Sequence, residues 1–215
     1  MIKYFIVLIV LISIKSVFAQ KKNDYLLSYI DTTSGQALVG FKNKEGKIVI
    51  KAKYWAIGYN AEHAEKIYEA ACVYGDSGWV FINKKDSIIL KPYIFDNGPD
   101  YIKEGLFRFV ENGKIGFANK HYEKIIPAMF DFVLFFENGI AEYFIGGNRI
   151  KEFFNCKEDC HWWWGNSTGG GYISRTGQLF RKISELKNNI RKARTIDNKL
   201  VLLNKHGQII KTYLH

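Results

Sequence analysis

The chain has 215 residues, 47% hydrophobic and 16% aromatic, with only 3 prolines and a formal net charge of +10. The aromatic excess and scarce proline suit many short strands. No apolar run reaches the ~20 residues a membrane-spanning helix needs. The basic balance points either to acidic partners such as envelope polysaccharide, lipid phosphate or nucleic acid, or simply to lysines that keep an array soluble and blunt its sheet edges, since they are scattered along the chain.

Met1-Ile2-Lys3, the apolar run Tyr4–Ile14 and Val17-Phe18-Ala19 predict a signal peptide, residues 1–19, cleaved after Ala19. No cysteine follows the cut, which argues against a lipoprotein anchor, and the expected location is secreted or periplasmic. The mature chain, 20–215, reads as a single β-repeat domain of net charge +8, long enough to bury roughly 70% of its unfolded surface. Its first residues, Gln20–Asn23, are expected to fray. Tyr25–Ile30 reads as a strand and Ser34-Gly35 as a turn, together a half-unit capping the array. Gly40-Phe41-Lys42-Asn43-Lys44 and Ile48-Val49-Ile50 follow. In the joining stretch Trp55–Tyr74, Asn60–Glu65 predicts a capped helical turn. His63 there, between Glu62 and Glu65, fits a solvated loop better than acid–base chemistry. Ile67–Tyr74 is a strand containing Cys72, a small buried hydrophobe unless it pairs with another cysteine. Gly75-Asp76-Ser77-Gly78 is a turn.

Residues 101–133 hold one complete unit. Asn112-Gly113 between strand-like runs predicts a two-residue type I′ hairpin, which sets Glu111 opposite Lys114, Val110 opposite Ile115, Phe109 opposite Gly116 and Arg108 opposite Phe117. Phe109 can then cover the bare glycine. A turn at Lys120-His121-Tyr122 leads to a strand Glu123–Ile126 that Pro127 is expected to close.

The unit recurs. Phe117 in Gly116-Phe117-Ala118-Asn119 matches Phe81 in Val80-Phe81-Ile82-Asn83, 36 residues earlier, and Phe41 40 residues before that. Each copy ends in a short apolar strand: Ile48–Ile50, Ile88–Leu90, Ile125-Ile126. Weaker copies are Gly171–Gly177 and Leu202–Ile210. A period of this size marks solenoids, propellers or arrays. The fold expected is all-β: about five antiparallel hairpin or three-strand repeats, solenoid-like or closed and propeller-like, with an insertion at about 152–170.

On Glu104-Gly105-Leu106, Asn112-Gly113-Lys114-Ile115-Gly116-Phe117, Ile125-Ile126-Pro127 and Gly78-Trp79-Val80-Phe81-Ile82-Asn83, the chain resembles the WG-repeat proteins, well over 35–145 and weakly over 165–212. The repeat signature residues are Gly40, Phe41, Gly78, Trp79, Phe81, Asn112, Gly113, Gly116, Phe117 and Pro127. Only Trp79 keeps the family tryptophan. The turn glycine, kept as Gly46, Gly177 and Gly207, becomes Asp86 and Tyr122, and a left-handed tyrosine costs roughly 1 kcal/mol, so that turn is expected to re-form. Asn138-Gly139 matches the family's Glu-Gly pair and need not be a tight hairpin. The resemblance implies an interaction module, and no more than that class.

The insertion contains Cys156, Cys160, His161, Trp162, Trp163, Trp164, Asn166, Ser167 and Thr168. An exported chain favours a Cys156–Cys160 disulfide; the alternative is metal binding with His161, for which no complete ligand set is seen. Alternation along a strand forbids three consecutive tryptophans from sharing one core. They either form a sugar platform with Asn166 or plug the end of the repeat core. Residues 181–198 read as a basic helix that could meet phosphates, or as the next joining element. No nucleophile elbow, phosphate loop or metal motif appears. The expectation is a non-enzymatic module without cofactor or metal, recognising a protein or an envelope or extracellular glycan, with oligomeric state open. The alternatives are a glycan hydrolase using Asp131, Glu137 or Glu142, and an anion or nucleic-acid binder through 181–194.

Overall fold

The structure, a computed structural model, describes residues 24–58, 66–95, 98–151 and 162–213. The leader, Asn60–Glu65 and Cys156, Cys160 and His161 lie outside them. The described residues contain strands and turns and no helix, and the strand pairings among them are antiparallel. No helix among them is long and apolar enough to cross a membrane. The chain divides into two compact units, one ending at Pro99 and one starting at Asp100.

The first unit holds β1 (Leu26–Asp31), β2 (Leu38–Lys42), β3 (Ile48–Tyr54), β4 (Ala56–Ile57), β5 (Lys66–Ile67), β6 (Ala70–Gly75), β7 (Gly78–Asn83), β8 (Ile88–Pro92), β9 (Ile94–Phe95) and β10 (Gly98–Pro99). β1-β2-β3 and β6-β7-β8 are three-strand meanders. Phe41, Ile50, Val73, Val80 and Ile82 share one buried cluster with Leu26 and Ile67. β1 pairs β2 at five positions and β5 along its other edge. The strand expected at Tyr25–Ile30 is present as β1, but it is the first strand of a complete meander with β2 and β3 and not a half-unit.

The second unit holds β11 (Leu106–Glu111), β12 (Lys114–Asn119), β13 (Lys124–Phe130), β14 (Phe132–Val133), β15 (Ile140–Ile145), β16 (Asn148–Lys151), β17 (Trp162–Gly165), β18 (Gly169–Ser174), β19 (Leu179–Ile183), β20 (Ile190–Thr195), β21 (Leu200–Asn204) and β22 (Ile209–Thr212). β11-β12-β13 form a meander, and β14-β15-β18-β19-β20-β21-β22 a seven-stranded sheet. The β11–β12 register is the one the Asn112-Gly113 turn predicts, with φ of 51° and 73° at those two residues.

One turn links second to third strand in every meander. At β12–β13, Asn119 N–H donates to Glu123 O at 3.0 Å and Tyr122 N–H to Asn119 O at 2.9 Å. Asn119 Oδ1 also accepts from the backbone N–H of His121 and Glu123, at 2.9 and 3.1 Å. Asn83 and Asn204 accept the same two bonds with Oδ1, and Asn43 Oδ1 and the Ser174 hydroxyl accept the second of them, from the N–H of Lys47 and Gln178. The fourth residue is left-handed each time: Gly46, Asp86, Tyr122, Gly177, Gly207. This is a type I turn closed by a left-handed bulge. Tyr122 does not re-form it. It takes φ 63°, because Asn119 over-determines the turn and the Tyr122 ring packs edge-on against Phe107 at 6.2 Å. Asp86, also left-handed, uses its carboxylate to accept from Tyr54 Oη and Lys53 Nζ, both at 2.5 Å.

The third strand then bulges over a glycine. A Cβ on Gly116 would lie 2.6 Å from Ala128 N and Ile126 O, and one on Gly40 would lie 2.6 Å from Ala52 N. The ring of Tyr29 also covers Gly40, and Tyr29 Oη accepts the Ala52 N–H at 3.1 Å. β3 and β13 are seven residues long with the same alternation of burial, whereas β8, which faces Val80 at this position, has five. Pro127 does not end β13. It sits in the irregularity between Ile126 and Phe130, where no ladder donor is needed, and the strand runs on.

After a bend the chain pairs with the first strand of the next meander: β4 with β6, and β14 with β15. The joining turns are tight, including the one at Asn138-Gly139 that the sequence left open. Lys103 N–H donates to Leu106 O at 2.8 Å and Leu106 N–H back at 3.0 Å, and Glu137–Ile140 and Lys187–Ile190 repeat this. Both central residues have positive φ in Glu104-Gly105, Asn138-Gly139 and Asn188-Asn189. The 181–198 stretch is thus β19, a tight turn and β20, not a helix. Its apparent helical spacing arose from Ile183 and Ile190 lying on either side of that turn.

One buried ion pair completes the second unit. Arg108 and Asp100 are 1% and 0% exposed. Arg108 Nε and Nη2 donate to the Asp100 carboxylate at 2.9 and 2.8 Å, its backbone N–H to Oδ2 at 2.9 Å, and Nη1 to Val133 O at 2.8 Å.

The glycine reading has a direct test. Gly116→Ala must shift the third strand and should cost about 2–3 kcal/mol, whereas Gly46→Ala, with open space around it, should cost about 1 kcal/mol of left-handed strain. Urea unfolding of both variants decides; equal losses would refute the close-approach reading.

Candidate binding surface

The tryptophans sit on the β16–β17 hairpin, whose register is Asn148↔Gly165, Arg149↔Trp164, Ile150↔Trp163 and Lys151↔Trp162. Alternation puts Trp162 and Trp164 on one face and Trp163 on the other. The first face is packed. Trp164 stacks on Phe132 at 5.1 Å and 14°, and Trp162 meets the same ring edge-on at 5.6 Å. The Arg149 guanidinium lies 4.2 Å from the Trp162 ring. Trp163, by contrast, is 50% exposed.

The hairpin base is clamped. Gly146 N–H donates to Asp131 Oδ2 at 2.7 Å, and Gly146 O accepts from Trp164 Nε1 at 3.0 Å. Asp131 is itself held by Lys114 Nζ at 2.6 Å. Those bonds, the lysine's first and the Gly146 N–H next, hold its carboxyl below the usual value of 3.8. Thr168 N–H donates to Ile145 O at 2.9 Å, securing the return strand.

The outward face combines an exposed ring with amides. Ile150 Cδ1 lies 2.3 Å from where a Gly165 Cβ would stand, so glycine lets the isoleucine fold across the strand beside Trp163. One alternation further, ~6.7 Å along the strand, Asn148 Oδ1 accepts from Asn166 Nδ2 at 3.1 Å. Asn166 is left-handed, φ 58°, and both amides are exposed.

Of the four residues singled out in the sequence, Trp163 and Asn166 thus face solvent, while Trp162 and Trp164 anchor the hairpin. Phe132, Asn148, Ile150 and the Asp131–Gly146 clamp were not legible beforehand; only the alternation of β17 hinted at the division. The signature residues serve the fold: Phe41, Phe81 and Phe117 are buried, and Gly78 lies in the β6–β7 turn. Trp79 is half-buried, its ring 5.1 Å from that of Tyr74. The free thiol of Cys72 is buried, and desolvation raises its pKa to about 12. Of the carboxylates considered for hydrolysis, Asp131 is engaged in the clamp, Glu137 opens the tight turn to Ile140, and Glu142 pairs across strands with Tyr172.

The clamp predicts a pH dependence. Because folding lowers the Asp131 pKa, its contribution is complete above the unfolded value of 3.8 and disappears as pH falls through the folded value. Asp131→Asn should therefore be less stable at neutral pH, with the difference from wild type narrowing on acidification below 3.8. Thermal melts across pH check this, and a constant difference at all pH values would contradict it.

A family model described as WG containing repeat matches residues 40–62, 79–114 and 115–148, and no curated protein matches the chain. The last matched segment starts in β12, passes through β13 and β14 and ends past β15. That segment therefore takes in the second and third strands of one meander and the first strand that follows. With the Gly116-Phe117 close approach, the Asn-capped turns and the short pairing strands, this match places the chain in the WG-repeat family.

Proposed function

We propose that the protein is a non-enzymatic binding module that recognises a glycan through the outward face of the tryptophan hairpin. The observation that carries this reading is Trp163. A large aromatic side chain half exposed on a hairpin has little structural use there, and its neighbours Trp162 and Trp164 immobilise the strand beneath it. A rigid indole offers a stacking face for a sugar ring at small entropic cost, and Asn148 and Asn166 supply adjacent donors and acceptors for hydroxyls. Engagement of Asp131 by Lys114 and Gly146 favours binding over two-carboxylate hydrolysis.

The finer architecture we infer is five copies of the meander, β1–β3, β6–β8, β11–β13, β15-β18-β19 and β20–β22, with the hairpin inserted in the fourth. A leader ending at Ala19, export, and a Cys156–Cys160 disulfide belong to the same reading. The test is a glycan array on the mature protein. Trp163→Ala should abolish binding with an unchanged melting temperature, while Trp164→Ala should lower the melting temperature by losing the Phe132 stack. Retained binding in Trp163→Ala would refute the site, and absence of any glycan ligand would refute the class.

A further inference from the structure

The cations of 181–194 divide by strand face, and Lys211 joins them from β22. Arg191 points inward, 8% exposed, toward Glu104 and Glu137, whose charges oppose the effect of its desolvation. The outward face is different. Lys182 pairs directly with Arg194. Arg194 pairs with Leu200 and Lys192 with Leu202, and Leu202 pairs with Lys211. Alternation therefore sets Lys182, Lys192, Arg194 and Lys211 on one face of β19–β22, around two half-buried leucines.

None of the paired residues on this face is acidic. Adjacent strands are ~4.8 Å apart and alternate residues ~6.7 Å apart, so neighbouring cations lie within about one Debye length. A like-charge pair directly across two strands, as Lys182 and Arg194 are, is destabilising. At one end the face opens into a groove of about 520 Å³, lined by Ser184, Lys187, Ile190, Lys192 and Leu202 and reached also by Arg191, with Glu185 as its one carboxylate. A face that stores repulsion and ends in a groove is suited to a ligand with spaced negative charges.

We propose that the outward face of β19–β22 binds a linear acidic polysaccharide, at a site separate from the tryptophan hairpin. Single-stranded nucleic acid requires a run of open aromatic rings on which successive bases stack, whereas the ring that borders this face, Tyr213, is half-buried and has Lys211 Nζ over it, 4.8 Å from its centroid. The two leucines between the cations are half buried, and the exposed apolar side chain beside them, Ile190, is a single residue, too small a wedge to hold a bilayer.

The experiment is a binding titration of full mature protein with a fluorescent sulfated polysaccharide at several salt concentrations. Parallel arms use single-stranded DNA of equal charge and vesicles containing an anionic phospholipid. Lys182→Gln/Lys192→Gln/Arg194→Gln should weaken polysaccharide binding about tenfold or more and flatten the salt dependence, with the melting temperature unchanged or raised. Lys47→Gln/Lys51→Gln/Lys85→Gln, equal in charge change but on exposed positions of the first unit, should bind as wild type. Trp163→Ala should also bind as wild type, which separates this site from the hairpin reading. Equal weakening in both triple variants, no binding at low salt, or tighter binding to DNA or vesicles would each overturn the proposal.

Discussion

The turn between second and third strands is the constraint on which the rest depends. Its asparagine or serine at the first position and left-handed residue at the fourth make the third strand leave at one fixed register. That register brings Ile50 beside Phe41 and Ile126 beside Phe117, all of them buried. Each buried Phe or Ile contributes roughly 1.5–3 kcal/mol, so the turn converts a local hydrogen-bond pattern into core packing. Where its last residue cannot be glycine, something else holds it: Tyr54 and Lys53 bind Asp86, and Phe107 packs on Tyr122.

What was legible in the sequence was what short-range chemistry decides. Asn112-Gly113 fixed a hairpin register residue by residue, and the spacing of Phe41, Phe81 and Phe117 revealed the repeat. What escaped notice depended on backbone hydrogen bonds, near or distant in sequence, that residue type does not reveal. Pro127 read as a terminator because its missing N–H was assumed to be needed; the bulge over Gly116 removes the need. Asn138-Gly139 read as a loose family signature because the bonds between Glu137 and Ile140 that close the turn leave no mark on composition. The helical spacing in 181–198 came from two strands and a turn laid end to end, a pattern periodicity cannot distinguish from one element.

The binding surface was half legible. Alternation alone divides three consecutive tryptophans between two faces, but which face is covered depends on Phe132, thirty residues before Trp162. The same rule divides the basic stretch, burying Arg191 and leaving Lys192 and Arg194 outside. In both places strand parity determines what a ligand can reach, and the residues on the covered face hold the exposed ones still. The hairpin is anchored through Asp131, the residue at the bend between β13 and β14, so the ring that faces solvent is fixed by the core that precedes it.

The short joining strands between meanders bear on how such a chain lengthens. A segment such as 115–148 begins within one meander and ends within the next. If it is duplicated in tandem, the new copy supplies the second and third strands its predecessor needs and the first strand its successor needs. Every ladder is then filled at each step, and no intermediate length exposes an orphaned strand inside the array. The outcome is the same wherever in the period the copied segment begins, because the joining ladders β4–β6 and β14–β15 tie each first strand to the chain before it. The array also accommodates an excursion such as the tryptophan hairpin between β15 and β18 while those two strands still pair at six positions.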